Sequence, residues 1–84
     1  MTDEVNEVKI GQKDISSYVY AVLRNSDVVL LARGSNLKKA VDIGLIVQRD
    51  YGYNVKAVSI YDSSYVDENK KERHVSNVEI SLSK

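Results

Sequence analysis

Residues Ala32 to Asp42 read ARGSNLKKAVD, and this stretch decides the fold. Behind it lies an apolar run, Val28-Val29-Leu30-Leu31-Ala32, that ends at Arg33-Gly34. After the turn an amphipathic segment begins at once, with Lys38 and Lys39 in its first turns. A strand that delivers an arginine to a glycine turn and then to a helix start makes a site for a backbone anion. The first amides of a helix have no intrahelical acceptor, the dipole is positive at that end, and glycine admits close approach. Arg33, Lys38 and Lys39 add formal charge to the same spot. A plainer reading pairs Arg33 with Asp27 or Asp42 at the surface and leaves Lys38 on a solvated helix face beside Leu37.

The helix that begins at Ser35 or Asn36 extends to Tyr51, where Gly52 stops it. At ~100° per residue, Leu37, Ala40, Val41, Ile43, Gly44, Leu45, Val47 and Tyr51 cover an arc of roughly 200°, with Ile46 apart on the polar side. A single sheet-facing stripe is about half as wide. The surplus predicts a second subunit against this helix, through Ile43, Ile46, Val47 and Tyr51. Upstream, Asp14 is a suitable N-cap, and Ile15, Tyr18, Val19, Val22 and Leu23 follow at helical spacing until Asn25-Ser26-Asp27. Val5 to Ile10 reads as a short first strand, preceded by a loose segment 1–4. Val28 to Ala32 lacks alternation, as expected of a central strand covered on both faces.

Downstream, Asn54 to Tyr61 and Val75 to Leu82 are strands, the latter alternating at Val78, Ile80 and Leu82. DSSYVDENKKERH (residues 62–74) is too long for a tight turn and predicts two extended arms with a mobile tip. The order β-α-β-α-β-β predicts an α+β two-layer sandwich in one domain spanning residues 1–84. It comprises a four-stranded mixed sheet, two helices on one face and a long hairpin between the last two strands.

The chain holds 12 Lys and Arg against 12 Asp and Glu, one histidine and no cysteine. Zero net charge is unusual for a polyanion binder, but its distribution is uneven. Residues 1–7 carry three acids and no base, which leaves the remainder at +3. Bases also cluster, Lys38 with Lys39 and Lys70, Lys71 with Arg73, whereas Lys9 and Lys56 read as ordinary strand-surface charges. Disulfides and thiolate metal sites are excluded, and no run is long enough to span a membrane. The acidic N-terminus does not suit a signal peptide, which points to the cytosol. A lone histidine, His74, and scattered carboxylates leave little for acid–base, nucleophilic or metal-assisted catalysis, so no cofactor and no metal are expected.

Together, IGQK at Ile10 to Lys13, SSYV in the first helix, ARGSNLKKAVD, and the closing VSNVEISL resemble the Alba family of small archaeal DNA- and RNA-binding proteins. The resemblance covers about Val8 to Leu82. It implies a fold similar to the C-terminal domain of a bacterial translation initiation factor. It further implies a homodimer or heterodimer, low-specificity binding to duplex DNA and binding to RNA, in the cytoplasm on the chromosome. Related eukaryotic subunits occur in ribonucleases P and MRP.

By that resemblance Gln12 and Lys13 occupy a lysine pair whose first member is acetylated in the family. Gln12 can carry neither the modification nor the charge. Tyr18 matches a tyrosine that lies against nucleic acid. Arg33 and Gly34 match the strand-end pair, with Ser35 where a second arginine is common. Lys39 matches the helix lysine and Lys38 adds another, while Asp62 to His74, bearing Lys70, Lys71 and Arg73, match an arm that enters the minor groove. The first helix is about a turn shorter than is typical of the family. Tyr51 matches an aromatic residue at dimer–dimer contacts, with Asp50 in place of a base.

Two functions follow as expectations. One is an architectural protein that binds duplex DNA or RNA through phosphates and the minor groove. The other is an interaction subunit that pairs with a more basic paralogue or joins a ribonucleoprotein. No aromatic-rich strand surface for single-strand stacking stands out in the sequence.

Overall fold

The computed structural model describes residues 6–84. The elements are β1 (Asn6–Lys9), α1 (Ile15–Leu23), β2 (Asp27–Arg33), α2 (Leu37–Tyr51), β3 (Asn54–Val66) and β4 (Glu72–Ser83), with a 3-10 turn over Gly34–Asn36. The expected loose segment 1–4, and Val5 at the head of the first strand, lie outside the described residues.

The strands form one sheet in the order β1-β2-β4-β3. β1 and β2 are parallel, and β4 is antiparallel to both β2 and β3. The two crossovers, β1-α1-β2 and β2-α2-β3, travel the same way across the sheet, so the usual right-handed connection puts both helices on one face. The core agrees: Tyr18, Val19 and Val22 of α1 and Ala40, Ile43 and Val47 of α2 cluster with Val28, Leu30, Ala32, Val78, Ile80 and Leu82. Helix α2 ends where Gly52 turns left-handed (φ 74°). Next to it Tyr53 is buried, its hydroxyl within bonding distance of the Val22 and Asn25 carbonyls at 3.0 and 2.5 Å. That contact ties the end of α1 to the start of β3.

β2 is not covered on both faces. Val28, Leu30 and Ala32 are buried, whereas Val29 and Leu31 are only half-buried. Helices on one side alone produce this alternation. The other face is open and carries Val29, Leu31 and Arg33 of β2 opposite Ser81, Glu79 and Asn77 of β4.

β3 and β4 are longer than the sequence pattern suggests, and continue their pairing to Val66 and Glu72. The expected arms are therefore a regular two-stranded ribbon. β3 is also an edge strand, broken by a bulge at Lys56 between Val55 and Ala57.

Candidate nucleic-acid interface

Parallel β1 and β2 end at the same edge of the sheet. β3 runs parallel to β2, since both oppose β4, and Arg33 and Tyr61 pair with the same residue, Asn77. Beyond Tyr61 the ribbon continues through Val66, about 17 Å at ~3.3 Å per residue, from that same edge. The strand-end edge thus collects the loop after β1, the Arg33-Gly34 turn, the starts of both helices and the ribbon. Neither helix has a side-chain cap, although Asp14 and Asn36 stand at the capping positions. Two positive dipole ends therefore face the edge, which gives it a local character that the net charge of zero does not convey.

The loop after β1 is braced from both helices. The Tyr18 hydroxyl accepts hydrogen bonds from the amides of Gly11 (2.7 Å) and Lys13 (3.1 Å). Lys39 Nζ donates to the carbonyls of Gly11 (2.9 Å) and Lys13 (3.0 Å). Tyr18 is only 7% exposed. The expected contact between Tyr18 and a nucleic acid is thus not available in this conformation, because the loop amides take the hydroxyl inward. Tyr18 instead holds exposed Gln12 and Lys13 in place. Lys39, half-buried, bridges α2 to the loop.

Arg33 is exposed and makes no ion pair among the described residues, so the surface pairing with Asp27 or Asp42 is not formed. Gly34 turns left-handed (φ 61°), and a Cβ there would lie 3.5 Å from Val75 Cγ2; the backbone, not space, demands glycine. Lys38, by contrast, is paired with Asp42 at 3.0 Å one turn along the helix, which fits the solvated-face reading.

The ribbon tip, expected to be mobile, is organised around Asp67. Its Oδ1 accepts the amides of Asn69 and Lys71, both at 2.9 Å, and its Oδ2 accepts Arg73 Nε at 2.8 Å. Lys70 sits at φ 62°, the left-handed position of the turn. Arg73 is therefore partly neutralised, and Lys70 and Lys71 are exposed cations without an ion pair among the described residues. The hydrogen bond from Arg73, then those from the Lys71 and Asn69 amides, hold the Asp67 carboxyl below the usual carboxylate range. A depressed folded value means the tip gains stability above the unfolded value of about 3.9 and loses it as pH falls through the folded one. Accordingly, NMR shifts of the Lys71 and Asn69 amides should stay constant from neutral pH down to that range and titrate only below it.

Two of the residues assigned to a subunit contact are misassigned. Ile43 and Val47 are wholly buried beneath α2, because the centre of the apolar arc, not its margin, faces the sheet. Ile46 and Tyr51 line a groove against Ile15, Val19, Tyr20 and Leu23 of α1. The exposed apolar residues of α2 on the flank away from α1 are Val41 (45%) and Leu45 (51%). Val58 and Ile60 of β3, exposed by 57% and 79%, pair with Ile80 and Val78 and so share the helix-bearing face. Asp50, beside Tyr51, pairs with Arg49 through contacts of 2.9 and 3.0 Å; the Arg49 guanidinium holds its carboxyl below the ordinary value.

Sequence reasoning also missed Tyr61 and Tyr65, 51% and 56% exposed on the open face of β3. Their spacing of four residues would have revealed a shared face had β3 been extended through residues 62–66.

No family model matches the chain. It is 33% identical over 86 residues to DNA/RNA-binding protein Alba 1 of Archaeoglobus fulgidus, covering 94% of this chain and 96% of that one. It is 34% identical over 87 residues to DNA/RNA-binding protein Alba of Nanoarchaeum equitans, covering 93% and 97%. Among solved structures, Alba from Thermoplasma volcanium superposes with a TM-score of 0.84 at 26% identity, covering 94% of this chain and all of that one. ALBA1 from Trypanosoma brucei shares the fold, with a TM-score of 0.71 at 18% identity over 94% of this chain and 69% of that one.

Proposed function

Because this chain belongs to the Alba family, we propose that it is an architectural nucleic-acid-binding protein that engages duplex DNA or RNA as a dimer, with little sequence preference. The observation that carries this reading is the convergence of Lys13, Arg33, Lys39, two uncapped helix starts and the ribbon at one edge of the sheet. Its relatives are named as DNA/RNA-binding proteins. The whole chain acts as one binding domain, in the cytoplasm and on the chromosome.

In a symmetric pair, two such edges form a platform across the phosphate backbone, and two ribbons carry Lys70 and Lys71 toward the flanking grooves. Phosphate and groove-shape contacts carry little base information, hence the low specificity. The subunit contact that fits the surface is the apolar step made by Val41 and Leu45 of α2 with Val58 and Ile60 of β3. Left in water, such a contiguous patch is a liability; covered by its own copy, it also fixes the two platforms relative to each other.

Arg33→Ala tests the platform. Each neutralised phosphate contributes about −0.9 to the log–log salt slope on duplex, so the variant should flatten the slope by about 1.8 in a dimer. An anisotropy titration of a DNA duplex at several salt concentrations measures it. A slope equal to that of wild type removes Arg33 from the contact.

A second reading is supported by Gln12, Ser35 and the pairing of Lys38 with Asp42 and Arg73 with Asp67, all of which reduce free positive charge. Here the chain pairs with a more basic paralogue, or sits in a ribonucleoprotein, and binds weakly alone. Salt-insensitive binding that Arg33→Ala leaves unchanged would favour it.

A further inference from the structure

We propose that the open sheet face, continued along the ribbon, is a stacking track for single-stranded nucleic acid, with Tyr61 and Tyr65 as its platforms and Arg33 beside them, level with Tyr61 across Asn77. The proposal rests on the nucleic-acid reading above and adds a second surface to it, set on a different face from the apolar step.

The strand register places the parts. Tyr61 pairs with Asn77, which on its other side pairs with Arg33; Tyr65 pairs with Arg73. Residues directly across a ladder share a face, as do residues two and four apart on one strand. Tyr61, Tyr65, Arg33 and Arg73 therefore lie on one surface, and both rings are more than half exposed. Two shallow hollows open on that surface. Lys9, Arg33 and Tyr61 help to line the first, and Arg33, Ser63 and Tyr65 help to line the second. Arg33 borders both, so a phosphate on its guanidinium has a tyrosine-walled hollow to either side. Ser63, small and midway between the rings, leaves the space above the ribbon clear.

The two exposed rings favour an unpaired strand. Four residues of β-strand separate the rings by about 13 Å, roughly four times the ~3.4 Å rise per nucleotide of a stacked duplex strand. A strand of a few nucleotides therefore reaches both rings, and a base that stacks on either ring must present a free face. A duplex hides the base faces that a tyrosine could stack on, whereas a single strand presents them whatever its sequence. Arg73 carries charge at the outer end, held by Asp67 at 2.8 Å. Glu79, opposite Leu31 on the same face, sets an acidic boundary at the inner end. The track therefore follows the ribbon and does not cross the whole sheet.

The test compares fluorescein-labelled oligouridylate with a labelled mixed-sequence DNA duplex by anisotropy, for wild type, Tyr61→Leu, Tyr65→Leu, Tyr65→Phe and Arg33→Ala. Each leucine variant should weaken oligouridylate binding roughly ten- to hundred-fold and duplex binding far less, with the duplex salt slope unchanged because no phosphate-binding charge is removed. Tyr65→Phe, which keeps the ring, should bind oligouridylate like wild type. Arg33→Ala should weaken both ligands. Both tyrosines are exposed, and far-UV circular dichroism verifies that the variants stay folded. Oligouridylate affinity that survives both leucine substitutions, or falls in step with duplex affinity, overturns the track. Wild type that binds duplex and ignores oligouridylate overturns the track alone; wild type that binds neither overturns the nucleic-acid reading as well.

Discussion

Leu45→Glu is expected to yield a folded protomer that no longer pairs and that binds duplex about 10²- to 10⁴-fold more weakly. Leu45 is 51% exposed on the flank of α2 away from α1, next to Val41 and above the edge where Val58 and Ile60 lie bare. A carboxylate there costs the isolated protomer little, because the position already meets water. Across a symmetric interface the same carboxylate appears twice, desolvated and without a partner, which outweighs the apolar gain of a small contact. Binding then loses its second platform. Joining two sites converts the second engagement into an intramolecular one, and affinity rises by about that same factor without any new contact. Sedimentation equilibrium reads the association, and anisotropy reads the binding. A variant that still sediments as a dimer would move the interface off this step. The sequence-derived alternatives cannot substitute for it as a clean test, since a charge at Ile43 or Val47 would enter the protomer core.

Leu30→Ala is expected to lower unfolding free energy by about 2–5 kcal/mol, the cost of removing a large aliphatic side chain from a site that collapses only partly. Leu30 is 0% exposed in β2, with Ile80 directly across the ladder and Gly44 of α2 above it. It therefore sits where the sheet meets the helix layer. In a domain of 84 residues, where each 1 kcal/mol moves Tm by about 4–8 °C, the loss would appear as a large fall in melting temperature. Urea unfolding at fixed protein concentration is the appropriate measurement, because the dimerisation proposed above would add to apparent stability. A loss below about 1 kcal/mol would mean that the sheet–helix layer tolerates a void better than close packing allows.

Much of this architecture was legible because apolar periodicity and glycine punctuation each have one physical cause. Ile15 to Leu23 and Leu37 to Tyr51 declared themselves as helices by spacing, and Gly52 marked an end because only a left-handed cap closes there. The strand-end edge was legible as well, since the order of elements fixes which loops meet. What the sequence could not supply was orientation within an element. The apolar arc of α2 was read correctly as too wide for one sheet, yet the pattern does not say which part of the arc is central. Hence Ile43 and Val47 were assigned outward and Val41 and Leu45 were not. Tyr18 follows the apolar spacing of the first helix, but the direction of its hydroxyl depends on two amides in a neighbouring loop that need an acceptor. Tyr65 stood in a charged stretch without alternation. Only the pairing with β4 turned that stretch into a strand and put the ring on a face.

The bulge at Lys56 bears on solubility. β3 runs 13 residues with one side of its backbone unpaired, whereas the opposite margin of the sheet is the four-residue β1. An unbroken ledge of amides and carbonyls that long would template the same ledge in a neighbouring molecule, and stacking could continue into fibrils. An extra residue bearing a lysine interrupts the ledge's regularity and sets like charges against each other whenever two such margins approach. Deleting Lys56 would realign the ladder and leave a chain more prone to amyloid-like growth.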